Sequence, residues 1–126
     1  MKSKLSIVTV CFNEKQGIVR TIEAIDLLNE TLETFEWIVV DGASSDGTLE
    51  LIRSRSDIVD MLIVGKDSGL FNAMNIGLSF ATGEYVWFLN GGDGVQSIDT
   101  RQFLSSFSMD MDYYYGSNVV FYPTSE

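Results

Sequence analysis

The stretch Trp37–Thr48, WIVVDGASSDGT, decides the fold. Its apolar opening breaks off at Asp41, a turn of small residues follows, and Asp46 stands just before a second segment with helical spacing. This is the pattern of strand, sharp turn and helix, with Asp41 at the carboxyl end of the strand and Asp46 as the expected helix N-cap. In a sheet of parallel strands that edge is where ligands bind.

Working outward, the same unit recurs. Leu5 to Val10 are continuously apolar and β-branched, as a strand buried on both faces requires, and the run ends at Cys11-Phe12-Asn13-Glu14. Ile18, Ile22, Ile25 and Leu28 then mark one stripe of a helix. After the strand at Glu36–Val40, a short helix is expected from about Thr48 to Ser54, and a third strand at Met61–Val64, ending in Gly65-Lys66-Asp67-Ser68-Gly69. A helix over Leu70–Ala81 should bury Phe71, Met74, Leu78 and Ala81, with Gly83 past its end as a left-handed cap residue. Tyr85–Leu89 supply a fourth strand, which ends at Asn90-Gly91-Gly92-Asp93-Gly94. Beyond it, Asp99 and Gln102 resemble a capping box ahead of Phe103, Leu104 and Phe107. Asp110–Tyr115 lead into a fifth strand, and Val119–Tyr122 are expected as a sixth. Strands alternating with helices imply right-handed crossovers and a mostly parallel sheet flanked by helices, an α/β, Rossmann-like architecture. Its carboxyl edge then gathers Asn13 and Glu14, Asp41, Lys66 and Asp67, and Asn90 and Asp93.

Composition narrows the chemistry. The 126 residues suit one domain, and 45% apolar content allows a real core. Eighteen acidic against eight basic residues give a formal charge of -10, which argues against a nucleic-acid partner. A phosphate-bearing ligand would need positive charge from elsewhere, and a divalent cation, Mg²⁺ or Mn²⁺, is the natural source. No histidine is present, so imidazole bases, His-based triads and His-rich zinc sites are excluded. The single Cys11 rules out an internal disulfide and suits a reducing cytosol, so a soluble, cytoplasmic chain is expected. No apolar run approaches the roughly 20 residues of a transmembrane segment, and the start lacks a signal peptide's long apolar region.

The first strand ends without a glycine-rich phosphate loop, against both the dinucleotide fingerprint and the P-loop. A carboxylate at a strand end accepts hydrogen bonds from a base or a ribose; Asp41 suits that role, the alternative being that it serves only its own turn. Asp46 reads more as a cap than as a ligand contact. Asp93, in a glycine-flanked loop, is the best-placed metal ligand, since Mg²⁺ often takes one or two protein carboxylates and completes its shell with phosphate and water.

The segments SIVTVCFNE, WIVVDGASSDGT and GKDSGLFNAMNIGLSFATGEYVWFLNGGD, in this order, resemble family 2 glycosyltransferases of the GT-A fold. The similarity covers about residues 4 to 94 and is nearest to the bacterial polysaccharide-synthesis branch with D-S-G-hydrophobic-x-x-A-M-N-x-G. The resemblance implies a nucleotide-diphosphate sugar donor, often UDP-linked, and inverting transfer to an acceptor hydroxyl on a glycan or lipid-linked acceptor at the inner membrane face. It implies that Thr9, Cys11, Asn13 and Glu14 line the nucleoside pocket and that Asp41 holds the base. Lys66, Asp67 and Gly69 would close over nucleotide and sugar, with Asn75 facing the site. Asn90 would lie near the ribose and Asp93 on the cation. Asn90 and Gly92 depart from the family's usual aspartates, which narrows metal binding toward one carboxylate, and Met74 replaces a frequent arginine.

The family's catalytic base comes from well downstream of the metal motif, whereas only about thirty residues follow Asp93. Asp110 and Asp112 are expected at the amino end of their strand, away from the site. Residues 1–126 are therefore expected to be the nucleotide-sugar-binding N-terminal part of a C-terminally truncated GT-A domain, weak or inactive alone, with its acceptor part and catalytic base elsewhere. Tyr113–Tyr115, Phe121 and Tyr122 either pack inside the fragment or leave an apolar patch that favours a homodimer. Two other readings compete. A phosphorelay receiver domain wants paired acids after strand one and a lysine after strand five, whereas here strand one ends in Asn13-Glu14 and the last lysine is Lys66; a non-catalytic nucleotide-sugar-binding or interaction module is mildly favoured by the missing acids at 90 and 92.

Overall fold

The structure, a computed structural model, describes residues 5–31, 34–66, 68–92 and 94. Its elements run β1 (Leu5–Cys11), α1 (Lys15–Thr31), β2 (Glu36–Asp41), α2 (Thr48–Arg53), β3 (Met61–Val64), α3 (Leu70–Phe80) and β4 (Tyr85–Phe88). The strands form one parallel sheet in the order β3-β2-β1-β4. The expected fifth and sixth strands, the capping box at Asp99, and Asp110, Asp112 and the late aromatic cluster lie outside the described residues, as do Asp67 and Asp93. Among the described residues no helix is long and apolar enough to cross a membrane.

β1 is buried at every position because it lies between two strands and two helical layers. Its side chains alternate. Leu5, Ile7 and Cys11 join the core under α1, with Ile18, Ile25 and Leu28 from that helix, Ile52 from α2 and Trp37 from β2. Val8 and Val10 face the other way and meet Ile38, Val40, Phe88 and, from α3, Ala73 and Met74. The stripe foreseen for α1 is thus the buried one.

Four expectations need correction. On α3 the buried residues are Ala73, Met74 and Gly77, whereas Phe71 is 69% exposed. Gly77 turns the helix: a Cβ there would lie 2.4 Å from Val8 Cγ1, so the bare backbone takes the place a side chain would fill. Gly83 is not a left-handed cap, since the glycines with positive φ among the described residues are Gly47, Gly69 and Gly92. It is needed for close approach, because a Cβ would meet Ser6 N at 2.8 Å and Leu5 C at 2.9 Å. The N-cap of α2 is Gly47, at φ 108°, and not Asp46. Asp46 nonetheless ties two helix starts together, with Oδ1 accepting the Thr48 N–H at 3.0 Å and Oδ2 the Lys15 N–H at 3.1 Å. Finally, Thr9 belongs to the core: its hydroxyl donates to Leu89 O at 2.6 Å and accepts the Trp37 Nε1–H at 2.8 Å.

The amino edge of the sheet is latched by Glu36, whose Oε2 accepts the Thr82 N–H at 2.6 Å, the Thr82 hydroxyl at 2.9 Å and the Ser6 hydroxyl. Burial pushes this carboxyl up, but the bonds from Ser6 and Thr82 outweigh it and hold it below its ordinary value of 4.5. A depressed folded value contributes stability above the unfolded pKa and loses it as pH falls through the folded one. Glu36→Gln is therefore expected to be less stable than the wild type at pH 7, the gap closing on acidification below about 4.5. Urea unfolding at pH 7 and pH 3 checks this; a gap that widens in acid would contradict it.

Candidate functional site

The carboxyl ends of the strands open into a cleft of about 660 Å³. Val10, Cys11, Phe12 and Glu14 form one wall, from β1 and the loop after it. Gly42, Ala43 and Ser45 contribute the turn after β2, Lys66, Gly69 and Leu70 the segment between β3 and α3, and Asn90 and Gly91 the chain after β4. The cleft thus sits where the chain moves from one side of β1 to the other, the switch point at which open α/β sheets bind ligands. Among the described residues, Glu14 and Lys66 are the charged ones that line it.

The turn after β2 is built on Asp41. Its Oδ2 accepts the Ser44 N–H at 2.8 Å and its Oδ1 accepts the Ser44 hydroxyl at 2.7 Å, with Cys11 Sγ at 3.5 Å. Asp41 is 0% exposed and lies behind Gly42 and Ala43, which form the surface of the cleft. The carboxylate therefore shapes the turn. Ala43 sits at φ 67° and Asn13 at φ 50°, both in the left-handed region that ordinary residues seldom adopt. The two loops hold each other: the Asn13 N–H donates to Ser44 Oγ at 2.9 Å, and Asn13 Oδ1 accepts the Ser45 N–H at 2.9 Å. The Glu14 N–H donates to Thr48 Oγ1 at 2.9 Å. Non-glycine residues held in such backbone positions recur at ligand clamps.

Cys11 is buried yet borders the cleft. Burial, and after it the negative charge of Asp41, push its thiol far above the ordinary range. It stays protonated at neutral pH and forms part of the cleft wall. Asn90 Oδ1 accepts the Val10 N–H at 3.3 Å, which extends the β1–β4 pairing by a side-chain bond into the cleft.

Cys11, Glu14, Lys66, Gly69 and Asn90 are therefore brought to one cleft. Asn13 braces its rim, Asp41 lies beneath it, Thr9 is in the core, and Asn75 is an exposed residue of α3 outside the cleft lining. Among the described residues no group of three acidic, Cys or His side chains could hold a metal. Sequence reading missed Ser44 and Ser45, which shape the turn, and also Gly17 and Thr21 on α1, which pack against Asn90–Gly92. Small residues four apart on a helix were the available signal for the last pair.

The family model for Glycosyl transferase family 2 matches residues 6–120. The chain belongs to glycosyltransferase family 2. Over 98 residues it is 34% identical to a cholesterol galactosyltransferase of Borreliella burgdorferi, covering 76% of this chain and 27% of that protein. Over 84 residues it is 32% identical to a PGL/p-HBAD biosynthesis glycosyltransferase of Mycobacterium bovis, covering 64% of this chain and 33% of that protein. The structure of the mannosyltransferase PcManGT from Pyrobaculum calidifontis, in complex with GDP-Man and Mn²⁺, is similar with a TM-score of 0.64 and 26% identity, over 80% of this chain and 31% of that one. S. aureus TarS 1-349 in complex with UDP-GlcNAc gives a TM-score of 0.68 at 22% identity, over 81% of this chain and 30% of TarS 1-349, and shows the same GT-A fold. This family 2 chain spans 27% to 33% of the length of these four relatives.

Proposed function

We propose that the chain is the donor-binding part of a glycosyltransferase that passes a sugar from a nucleotide-diphosphate sugar, UDP-linked, to an acceptor hydroxyl. The observation that carries this is the cleft at the switch point, where Glu14, Lys66 and Asn90, picked out at separate strand ends, meet. Support comes from membership of family 2 and from the GDP-Man and Mn²⁺ in the PcManGT complex. In this reading the turn of Gly42–Ser45, shaped by Asp41, receives the base, and Asn90 lies near the ribose. Lys66 and Asp67 would bind the diphosphate and sugar.

A divalent cation, Mg²⁺ or Mn²⁺, would be held by Asp93 together with the diphosphate and would neutralise the charge that develops on the leaving nucleotide. The cleft's described side chains fit a cation that takes little from the protein, since they provide one carboxylate, Glu14, and one amide, Asn90. An inverting transfer needs a base to take the acceptor's proton as its oxygen attacks the sugar carbon from the face opposite the departing diphosphate. That base and the acceptor site belong, in this proposal, to sequence outside these residues, and the product to cell-surface polysaccharide made at the cytoplasmic face of the membrane.

The test is calorimetric titration with UDP, GDP and dTDP, with and without Mn²⁺ or Mg²⁺. Metal-dependent binding of UDP is expected, with Asp93→Ala losing the metal-dependent part. UDP binding of equal strength with and without metal would sink the cation assignment. A second reading, binding without turnover, is favoured by Asn90 and Gly92 standing where the family often has aspartates. Metal-dependent binding by the full-length protein that never yields transfer would decide for it.

A further inference from the structure

We propose that Thr21 is the positioning residue of the Asn90–Gly92 wall of the cleft, and that Gly17, one helical turn before it, makes the room for that wall. The assignment rests on the donor-binding reading above and extends it to α1, which itself reaches no ligand.

Thr21 is 0% exposed, on the core-facing side of α1. Its Oγ1 accepts the Gly92 N–H at 3.0 Å, and its hydroxyl proton faces Asn90 O at 3.4 Å and Gly17 O at 3.5 Å. One side chain on α1 therefore grips both ends of the turn that follows β4. A valine would have nearly the same shape and would escape the cost of burying a hydroxyl. Nor does the helix gain, since a Thr that bonds back to the carbonyl four residues earlier slightly weakens a helix. The hydroxyl is accounted for by the bonds it makes to the turn.

Gly17 points the same way. Glycine inside a helix is less favourable than alanine. Here a Cβ would stand 2.8 Å from Gly92 Cα and 2.7 Å from Glu14 Oε2. On the other side Gly92 takes φ 99°, a conformation that side chains disfavour. Helix and turn thus approach backbone to backbone, with the Glu14 carboxylate beside the contact. A shift of α1 or of the Thr21 hydroxyl moves Asn90 and Gly91, which line the cleft, and with them the start of the loop that continues to Asp93.

The experiment compares wild type, Thr21→Val, Thr21→Ser and Gly17→Ala in the full chain by two readouts. One is amide hydrogen exchange at Gly91 and Gly92. The other is the dissociation constant for UDP with and without Mn²⁺. In Thr21→Val, exchange at Gly92 is expected to accelerate, and the Mn²⁺-dependent gain in UDP affinity to fall by about tenfold or more, the scale on which groups behind metal ligands act. Metal-free UDP affinity should fall by less, through the displaced Asn90 and Gly91 of the cleft lining. Thr21→Ser, which keeps the hydroxyl, should restore both readouts. Gly17→Ala, which favours the helix, should weaken the Mn²⁺-dependent part in the same direction, and it decides the matter should Thr21→Val not fold. Unchanged exchange at Gly92 in a folded Thr21→Val overturns the grip on the turn. Faster exchange with an unaltered Mn²⁺-dependent gain overturns its role in binding. A wild type that binds no UDP under any metal sinks the donor reading and the binding half of the assignment with it, while the exchange data still decide whether Thr21 holds the turn.

Discussion

Trp37→Ala is expected to lower the unfolding free energy by about 3–5 kcal/mol, the range for deleting a large buried aromatic. Trp37 is 0% exposed on β2 and packs in the core under α1 with Ile18, Ile25 and Leu28. Two effects add. The vacated volume is bounded by residues already seated in β1, α1 and β4, which limits collapse into it. The indole N–H is also lost to Thr9, whose hydroxyl in turn reaches Leu89 O, so a chain of bonds from β2 through β1 to the end of β4 is cut. Trp37→Phe separates the two, since it keeps most of the volume and loses the bond, at a net cost of about 1 kcal/mol for the bond itself. Urea unfolding measures both variants. An alanine variant as stable as the phenylalanine one would mean that the site refills freely and that the core is looser than this packing implies.

Gly77→Val is expected to destabilise by about 1–3 kcal/mol through overpacking. A Cβ at 77 falls 2.4 Å from Val8 Cγ1 and 3.3 Å from Val40 Cγ2, both buried valines on neighbouring strands. Neither valine has another place to go in a close-packed interior, so α3 must lift. The amino end of α3 carries Gly69 and Leu70, which line the cleft, so UDP affinity should fall together with stability. Gly77→Ala is the milder case, because the helix gains roughly 1 kcal/mol in propensity while it meets the same contact. Thermal unfolding and titration of the two variants check the order. If Gly77→Val proved as stable as the wild type, the close seating of α3 on β1 would be wrong.

What could be read from the sequence was what repeats along the chain. Leu5–Val10 announces itself as a central strand because both faces are apolar, and Ile18, Ile22, Ile25 and Leu28 announce a helix because their spacing makes a stripe. The polar ends of successive strands gave the edge of the sheet and most of the cleft. What escaped has no period. Gly77 rotates the buried face of α3 by leaving a side chain out, so a reading that scores apolar residues placed Phe71 in the core, although it is exposed. Gly83 reads as a cap because it follows a helix, but its reason is Ser6, on a strand at the far end of the sequence. The Thr9 hydroxyl pairs with residues 28 and 80 positions away, and the Gly92 N–H finds Thr21 across 71. Such partners exist only once the chain is folded, which is why Thr9 could be matched to a pocket and is found in the core.

The order of the strands also sets the order in which the protein becomes able to work. β1 pairs with β2, where Ser6 meets Glu36, and with β4, where Leu5 meets Tyr85. The second pairing closes a much longer stretch of chain, and the entropy of closure rises with that length, by about 0.6 kcal/mol for each doubling. The neighbours β1, β2 and β3 can assemble first, with β4 docking onto them. One wall of the cleft, Asn90 and Gly91, arrives only with that last strand. A nascent or partly unravelled chain has no complete site, so binding doubles as a check that folding has finished. A ligand seated between the turn after β2 and the segment after β4 fastens the β1–β4 pairing, which closes the longest stretch of chain among the described strands.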